Sequence, residues 1–168
     1  MLTTRRTLLY CLLPLLISFT IYAVFRSPNT IVNQVLLACW PAKPPMLHLP
    51  QAEWFVYNLP GALWLFAFLW IGTLSASRRL TLLPLALALG IEAVQLLHFT
   101  DGTFDPLDVL FYLLALGAFA ALGGLARQTS AIAVETTVEP IMRHLSKRYK
   151  LAMAVFVAMV LLSDVWVK

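Results

Sequence analysis

Five apolar blocks divide the chain, at roughly 8–25, 56–75, 80–98, 107–125 and 150–167. Each is close to the ~20 predominantly apolar residues that a membrane-crossing helix needs. Only helices and closed barrels satisfy every backbone polar group in lipid. The pattern therefore predicts an all-α integral membrane bundle of about five transmembrane helices. No block repeats another and no low-complexity tract interrupts them, so residues 1–168 read as one transmembrane domain.

Composition agrees with that reading. The chain is 61% hydrophobic and 12% charged, with a mean hydropathy of +0.83. A water-soluble domain of 168 residues has too little interior to hide so much apolar surface. The net charge of +4 invites a nucleic-acid reading, but the positions of the charges argue for topology instead. Arg5 and Arg6 precede the first block, and Arg78 and Arg79 lie between the second and third. Arg127, Arg143, Lys147, Arg148 and Lys150 lie between the fourth and fifth. Only Arg26, Lys43 and Lys168 fall on the other side. The positive-inside rule then places the N-terminus in the cytoplasm and the C-terminus outside. The expected location is a cell membrane, of the bacterial inner-membrane kind, with no nucleic-acid partner.

The first block, Leu8 to Phe25, exceeds the usual h-region of a signal peptide, and no A-x-A-like site follows it. It reads as an uncleaved anchor. Cys11 is expected near the inner leaflet and Cys39 in the outer loop, separated by most of a helix and unable to pair. That loop, roughly 26–55, carries Pro28, Pro41, Pro44, Pro45 and Pro50, which restrict regular helix. Its short apolar piece, Ile31 to Trp40, reads as an interfacial or re-entrant turn. Trp54, Phe55 and Tyr57 mark an aromatic belt, and Asn58 with Pro60 fit the start of the second helix. The linker 126–149 is basic with apolar anchors. It reads as a surface helix on anionic lipid or a contact for a membrane partner. Small residues four apart, Gly117 with Ala121 and Ala120 with Gly124, mark close helix packing.

Polar residues interrupt the apolar pattern most densely between Glu92 and Asp108. Glu92, Gln95 and His98 recur every three residues late in the third helix, so they spread over one face. Glu92 lies roughly 9 Å below the helix end. Asp101 with Gly102 has the chemistry of a turn. Asp105, Pro106 and Asp108 follow a capping pattern: an Asp N-cap, proline at the first helical position, and an acid at the third. Tyr112 follows Asp108 by one turn on the same face. If the third and fourth helices form an antiparallel hairpin, Glu92 and Tyr112 come to similar depth, giving a polar pocket open to the outside. His98 with Asp105 and Asp108 is one conceivable metal set, although the reading expects no metal and no cofactor. Glu92 has no capping role and lies too deep to be solvated cheaply. It is expected either protonated or paired through Gln95 and Tyr112. Carboxylates at such depth are read as functional by default.

The segment IEAVQLLHFTDGTFDPLDVLFYLLALG resembles the VanZ-like family of small membrane proteins, named for a teicoplanin-resistance protein. Glu92 and Gln95 match the family's Glu-x-x-Gln, and Asp105 and Asp108 match its Asp-x-x-Asp. The chain departs from the pattern at three places. No base stands near Gly102 where the family has an arginine, Tyr112 replaces an asparagine, and Ala115 replaces a glycine. The resemblance implies reduced sensitivity to lipophilic glycopeptides such as teicoplanin. The partner would be an amphiphile at the outer leaflet, a lipoglycopeptide or a lipid-linked envelope precursor. In that picture Glu92 and Gln95 line the pocket floor, Asp105 and Asp108 line its mouth, and Trp54 and Trp64 border an apolar approach.

Two other classes compete with that reading. One is an intramembrane enzyme acting on a lipid-linked substrate, since paired carboxylates serve as acid and base. Against it, the chain shows no serine or cysteine nucleophile beside a base. The other is a proton- or ion-coupled transporter subunit. Five helices without an inverted repeat would then need a homo-oligomer or a membrane partner.

Overall fold

The structure is a computed structural model that describes residues 4–27, 31–40, 47, 49–73, 78–99, 103–127 and 151. Among them every regular element is helical. Helix α1 is continuous through Thr4–Thr7, a π-helical turn at Leu8–Leu12, and Leu13–Phe25. A short α2 spans Ile31–Cys39, and a 3-10 turn at Pro50–Ala52 leads into α3, Glu53–Gly72. Helices α4, Arg78–Leu96, and α5, Pro106–Ala121, complete the described bundle. The expected fifth long helix, the linker before it and the Asp101–Gly102 turn lie outside the described residues, except that Leu151 is helical.

The π turn has a local cause. Pro14 has no N–H to return to the preceding turn, and Leu13 N–H reaches back five residues to the Leu8 carbonyl. The wider turn seats Tyr10 on Trp70, stacked with ring centres 4.6 Å apart.

Helix α3 is the hub. It packs against α1, α4 and α5, whereas α4 and α5 touch each other only sparsely. The hairpin expected between α4 and α5 is thus joined chiefly through a shared wall. Ring contacts fix the directions. Phe111 meets Trp54 and Phe55 at one end, and Phe119 meets Trp70 at the other, so α5 runs parallel to α3. Tyr10 on Trp70, with Ser18 on Pro60, makes α1 antiparallel to α3. At the turn into α4, Thr81 Oγ1 donates to the Gly72 carbonyl at 3.0 Å. A Cβ on Gly72 would lie 2.8 Å from Thr81 Cα, so only glycine permits this approach.

Helix α3 starts earlier than the sequence pattern indicates. Its first residue is Glu53, which puts Pro60 inside the helix rather than in its opening turn. The aromatic run Trp54–Phe55 meets Phe111 edge to face, and those ring contacts extend the helix N-terminally past the proline. Asn58 Nδ2 donates to the Trp54 carbonyl at 2.6 Å and supports the disturbed turn.

Leu65, Leu69, Trp70, Ala88, Ala115 and Phe119 form the centre of the core. Large apolar side chains also point outward. Leu9, Leu12, Leu13, Leu16, Ile17 and Phe19 are exposed on α1, and Leu110, Leu113 and Leu114 on α5. Helices Arg5–Phe25 and Pro50–Gly72 are long and apolar enough to cross a membrane. The apolar stretches Thr81–Leu96 and Pro106–Ala121 are shorter. Of the small-residue positions, Gly117 and Ala121 on α5 face outward, while Gly124, just past its end, is buried against the Phe119 ring.

Cys11 is buried and Cys39 exposed, both as free thiols. The short helix α2 is tied down by Asn33, which is fully buried. Its Nδ2 donates to the carbonyls of Tyr22, Arg26 and Ser27 at 3.2, 2.9 and 2.9 Å. The three carbonyls lie in the last turn of α1 and just beyond it, and that of Tyr22 also accepts from Arg26 N–H at 3.3 Å.

Candidate functional site

Glu92 lies on the inward face of α4, in line with buried Thr81, Pro84 and Ala88, and is only 5% exposed. Its level follows from the α3–α4 anchor. Gly61 lies eleven residues before Gly72, and Glu92 eleven after Thr81. At 1.5 Å per residue both stand about 16 Å from the turn. Tyr112 of α5 reaches the same level from the other side. A Cβ on Gly61 would lie 3.3 Å from Tyr112 Cε1 and 3.4 Å from its hydroxyl, so the ring lies against the bare backbone of Gly61. From α1, Ser18 Oγ donates to the Pro60 carbonyl at 3.2 Å. Four helices thus place polar groups in one layer: Ser18, the Pro60–Gly61 backbone, Glu92 and Tyr112.

The proline gives this layer its character. Pro60 has no N–H for the Val56 carbonyl, and its ring crowds that turn. Two further polar atoms flank the break. Asn58 is 1% exposed, and its Oδ1 has no hydrogen-bond partner among the described residues. Trp64 is 7% exposed, and its Nε1 is in the same condition. Trp64 lies beside Tyr22, with ring centres 5.9 Å apart. It therefore sits inside the bundle and does not border an exposed apolar approach, the place the resemblance implies. Trp54, at 54% exposed, remains at the rim.

The remaining candidate residues lie toward the Trp54 end. Gln95 is half-buried one turn beyond Glu92. His98 is exposed and occupies the left-handed region, with φ of 57°. Phe99 N–H bonds to the Val94 carbonyl and His98 N–H to the Gln95 carbonyl, at 3.1 and 3.0 Å. Those two bonds and the positive φ define a Schellman cap, with His98 where glycine is usual. Asp105 is the N-cap of α5. Its Oδ1 accepts from Leu107 N–H at 2.9 Å, with Pro106 directly after it. Asp108 stands in the first turn, half-buried, where a negative charge suits the helix dipole. The structure thus divides the cluster in two. Glu92 and Tyr112 share the inner layer, while His98 and Asp105 serve as caps. Among the described residues, no group of three or more His, Cys, Asp or Glu comes together to hold a metal ion.

Sequence reasoning missed Ser18, Asn58 and Trp64 as members of the layer, and Arg26 and Asn33 toward the Trp54 end. Arg26 is buried, with its guanidinium 4.5 Å from the Tyr57 ring centre and 5.1 Å from that of Tyr22. Both rings lie within cation–π range. The signal for Asn58 was present in the sequence, as an amide two residues before a proline in an apolar block. It was assigned to a helix start.

No protein-family model, no characterised protein and no solved structure matches this chain.

Proposed function

We propose that this chain is a multi-pass membrane protein that engages the polar head of an amphiphilic cell-envelope molecule through the Glu92 layer. The full arrangement is five spanning helices in the bacterial inner membrane, with the N-terminus cytoplasmic and the C-terminus external. The outward leucines of α1 and α5 support it, because apolar surface on that scale marks a surface that is covered. The split of basic residues orients it. The observation that carries the functional reading is the burial of Glu92 on the inward face of α4, level with Gly61 and Tyr112. A carboxylate at such depth costs about 3 kcal/mol or more on insertion scales, so its presence marks a site.

The resemblance of the Glu92–Asp108 segment to VanZ-like proteins names the ligand class: a lipophilic glycopeptide of the teicoplanin type, or a lipid-linked envelope precursor. Glu92 and Tyr112 supply hydrogen bonds to its polar head, Gln95 and Asp108 stand between them and the outer surface, and exposed Trp54 meets its apolar part. Binding to purified protein in lipid nanodiscs tests this. Wild-type protein should bind a lipidated glycopeptide more tightly than its non-lipidated parent, and Glu92→Gln should lose about tenfold in affinity, one hydrogen bond's worth. Equal binding by wild type and Glu92→Gln would remove Glu92 from the site.

A further inference from the structure

The polar atoms flanking Pro60 ask for an occupant that the side chains of the described residues do not supply. Trp64 Nε1–H is a donor and Asn58 Oδ1 an acceptor. Both belong to side chains more than nine-tenths buried, and neither atom has a partner among the described residues. They lie six residues apart on α3, about 9 Å along the axis, on either side of a proline that removes the helical donor to the Val56 carbonyl. Ser18 Oγ and the Tyr112 hydroxyl border the same layer. Buried water occupies sites that are polar and offer it two to four partners, and it leaves apolar voids dry.

The protein contains its own dry comparison. Trp70 Nε1 is also buried without a hydrogen-bond partner among the described residues. Its ring, however, is enclosed by Tyr10, Phe66 and Phe119 at centre distances of 4.6, 6.5 and 5.3 Å. Of those three rings only Tyr10 carries a polar group, its hydroxyl, so the box offers a water fewer partners than the Pro60 layer does. The contrast between two enclosed indoles, one in a polar layer and one in an aromatic box, separates hydration from mere imperfection of packing.

We propose that ordered water fills the layer at the Pro60 break, bridging Trp64 and Asn58 to Glu92, and that Glu92 exchanges its proton with bulk solvent through it. The carboxyl gives a proton to the adjacent water and takes one back, with no net change in the layer. Half-buried Gln95 and Asp108, toward the Trp54 end, mark the direction of exit. The titratable neighbours of the layer are Tyr112 from α5 and Tyr22 from α1, and Arg26 lies eight residues beyond Ser18, about 12 Å along α1. The proposal is independent of which amphiphile binds. Loss of glycopeptide binding would leave it standing.

The test is deuterium exchange of the indole N–H groups in the full chain, with isotope-labelled tryptophan and each signal assigned by a Trp→Phe variant. Trp64 N–H should exchange faster than Trp70 N–H by about tenfold or more, and Asn58→Leu should slow Trp64 toward the Trp70 rate. Equal protection of the two indoles in wild-type protein overturns the hydrated layer. Variants that fail to fold reveal themselves by loss of Trp70 protection. Infrared spectroscopy reads the second half. Wild-type protein should show a protonated-carboxyl band that Glu92→Gln removes and that shifts in D2O on the Trp64 timescale. No such band, or one that stays unshifted while Trp64 exchanges, overturns proton exchange at Glu92.

Discussion

Replacing Gly72 with alanine tests the anchor from which the level of Glu92 is read. The new Cβ would lie 2.8 Å from Thr81 Cα and 3.3 Å from its carbonyl oxygen. Ordinary carbon–carbon contacts are 3.5 Å or more, so α3 and α4 must separate. Backbone cannot swing aside as a side-chain tip can, and overpacking of this kind costs about 1–3 kcal/mol. Against that stands the helix-propensity gain of alanine over glycine, up to about 1 kcal/mol. Gly90→Ala supplies the control, because nothing lies within 4 Å of a Cβ there. Gly90 lies inside α4 and Gly72 ends α3, so the propensity gain at Gly90 is at least that at Gly72, and their difference is the clash of about 1–3 kcal/mol plus at most about 1 kcal/mol. Denaturant unfolding in detergent micelles, followed by tryptophan fluorescence, gives both values. Gly90→Ala should be at least as stable as wild type, and Gly72→Ala the less stable of the two. Thr81→Ala should not rescue Gly72→Ala, since the nearest atom is Cα. Equal stability of the two glycine variants would refute the close approach, and with it the level assigned to Glu92.

Substitutions at three further positions separate structural roles from chemistry. His98→Gly should stabilise the protein by about 0.5–1 kcal/mol, because glycine takes a positive φ without the Cβ penalty; thermal unfolding reads it, and ligand binding should not change. Asp105→Asn should keep the N-cap and wild-type stability, whereas Asp105→Ala should lose about 1 kcal/mol; Asp105→Asn losing ligand binding at full stability would show a role beyond capping. Asn33→Ala should cost about 1–3 kcal/mol by stripping a buried donor from three carbonyls at the end of α1, and limited proteolysis between α1 and α3 should accelerate.

The first four apolar blocks were legible as helices because apolar length alone specifies them, and the Asp105–Pro106 N-cap because its chemistry is local. The start of α3 was misjudged for the opposite reason. Pro60 belongs at a helix start on local grounds, and only contacts of Trp54 and Phe55 with Phe111 carry the helix beyond it. Glu92 stands out as an acid in a greasy block, and helical spacing puts Tyr112 near its depth. Gly61 and Ser18 have no such signal in sequence, and their meeting is set by how α1 and α3 pack. His98 looked like a candidate ligand because sequence does not show φ. The role of α3 as a shared wall was equally hidden, since chain order makes α4 and α5 appear to be partners.

The most direct test of the central claim is teicoplanin susceptibility of a sensitive Gram-positive host producing wild-type chain or Glu92→Gln at matched membrane levels. The account predicts that wild type protects the host and Glu92→Gln does not. Protection by Glu92→Gln equal to that of wild type would contradict it, because the Glu92 layer would then contribute nothing to the function.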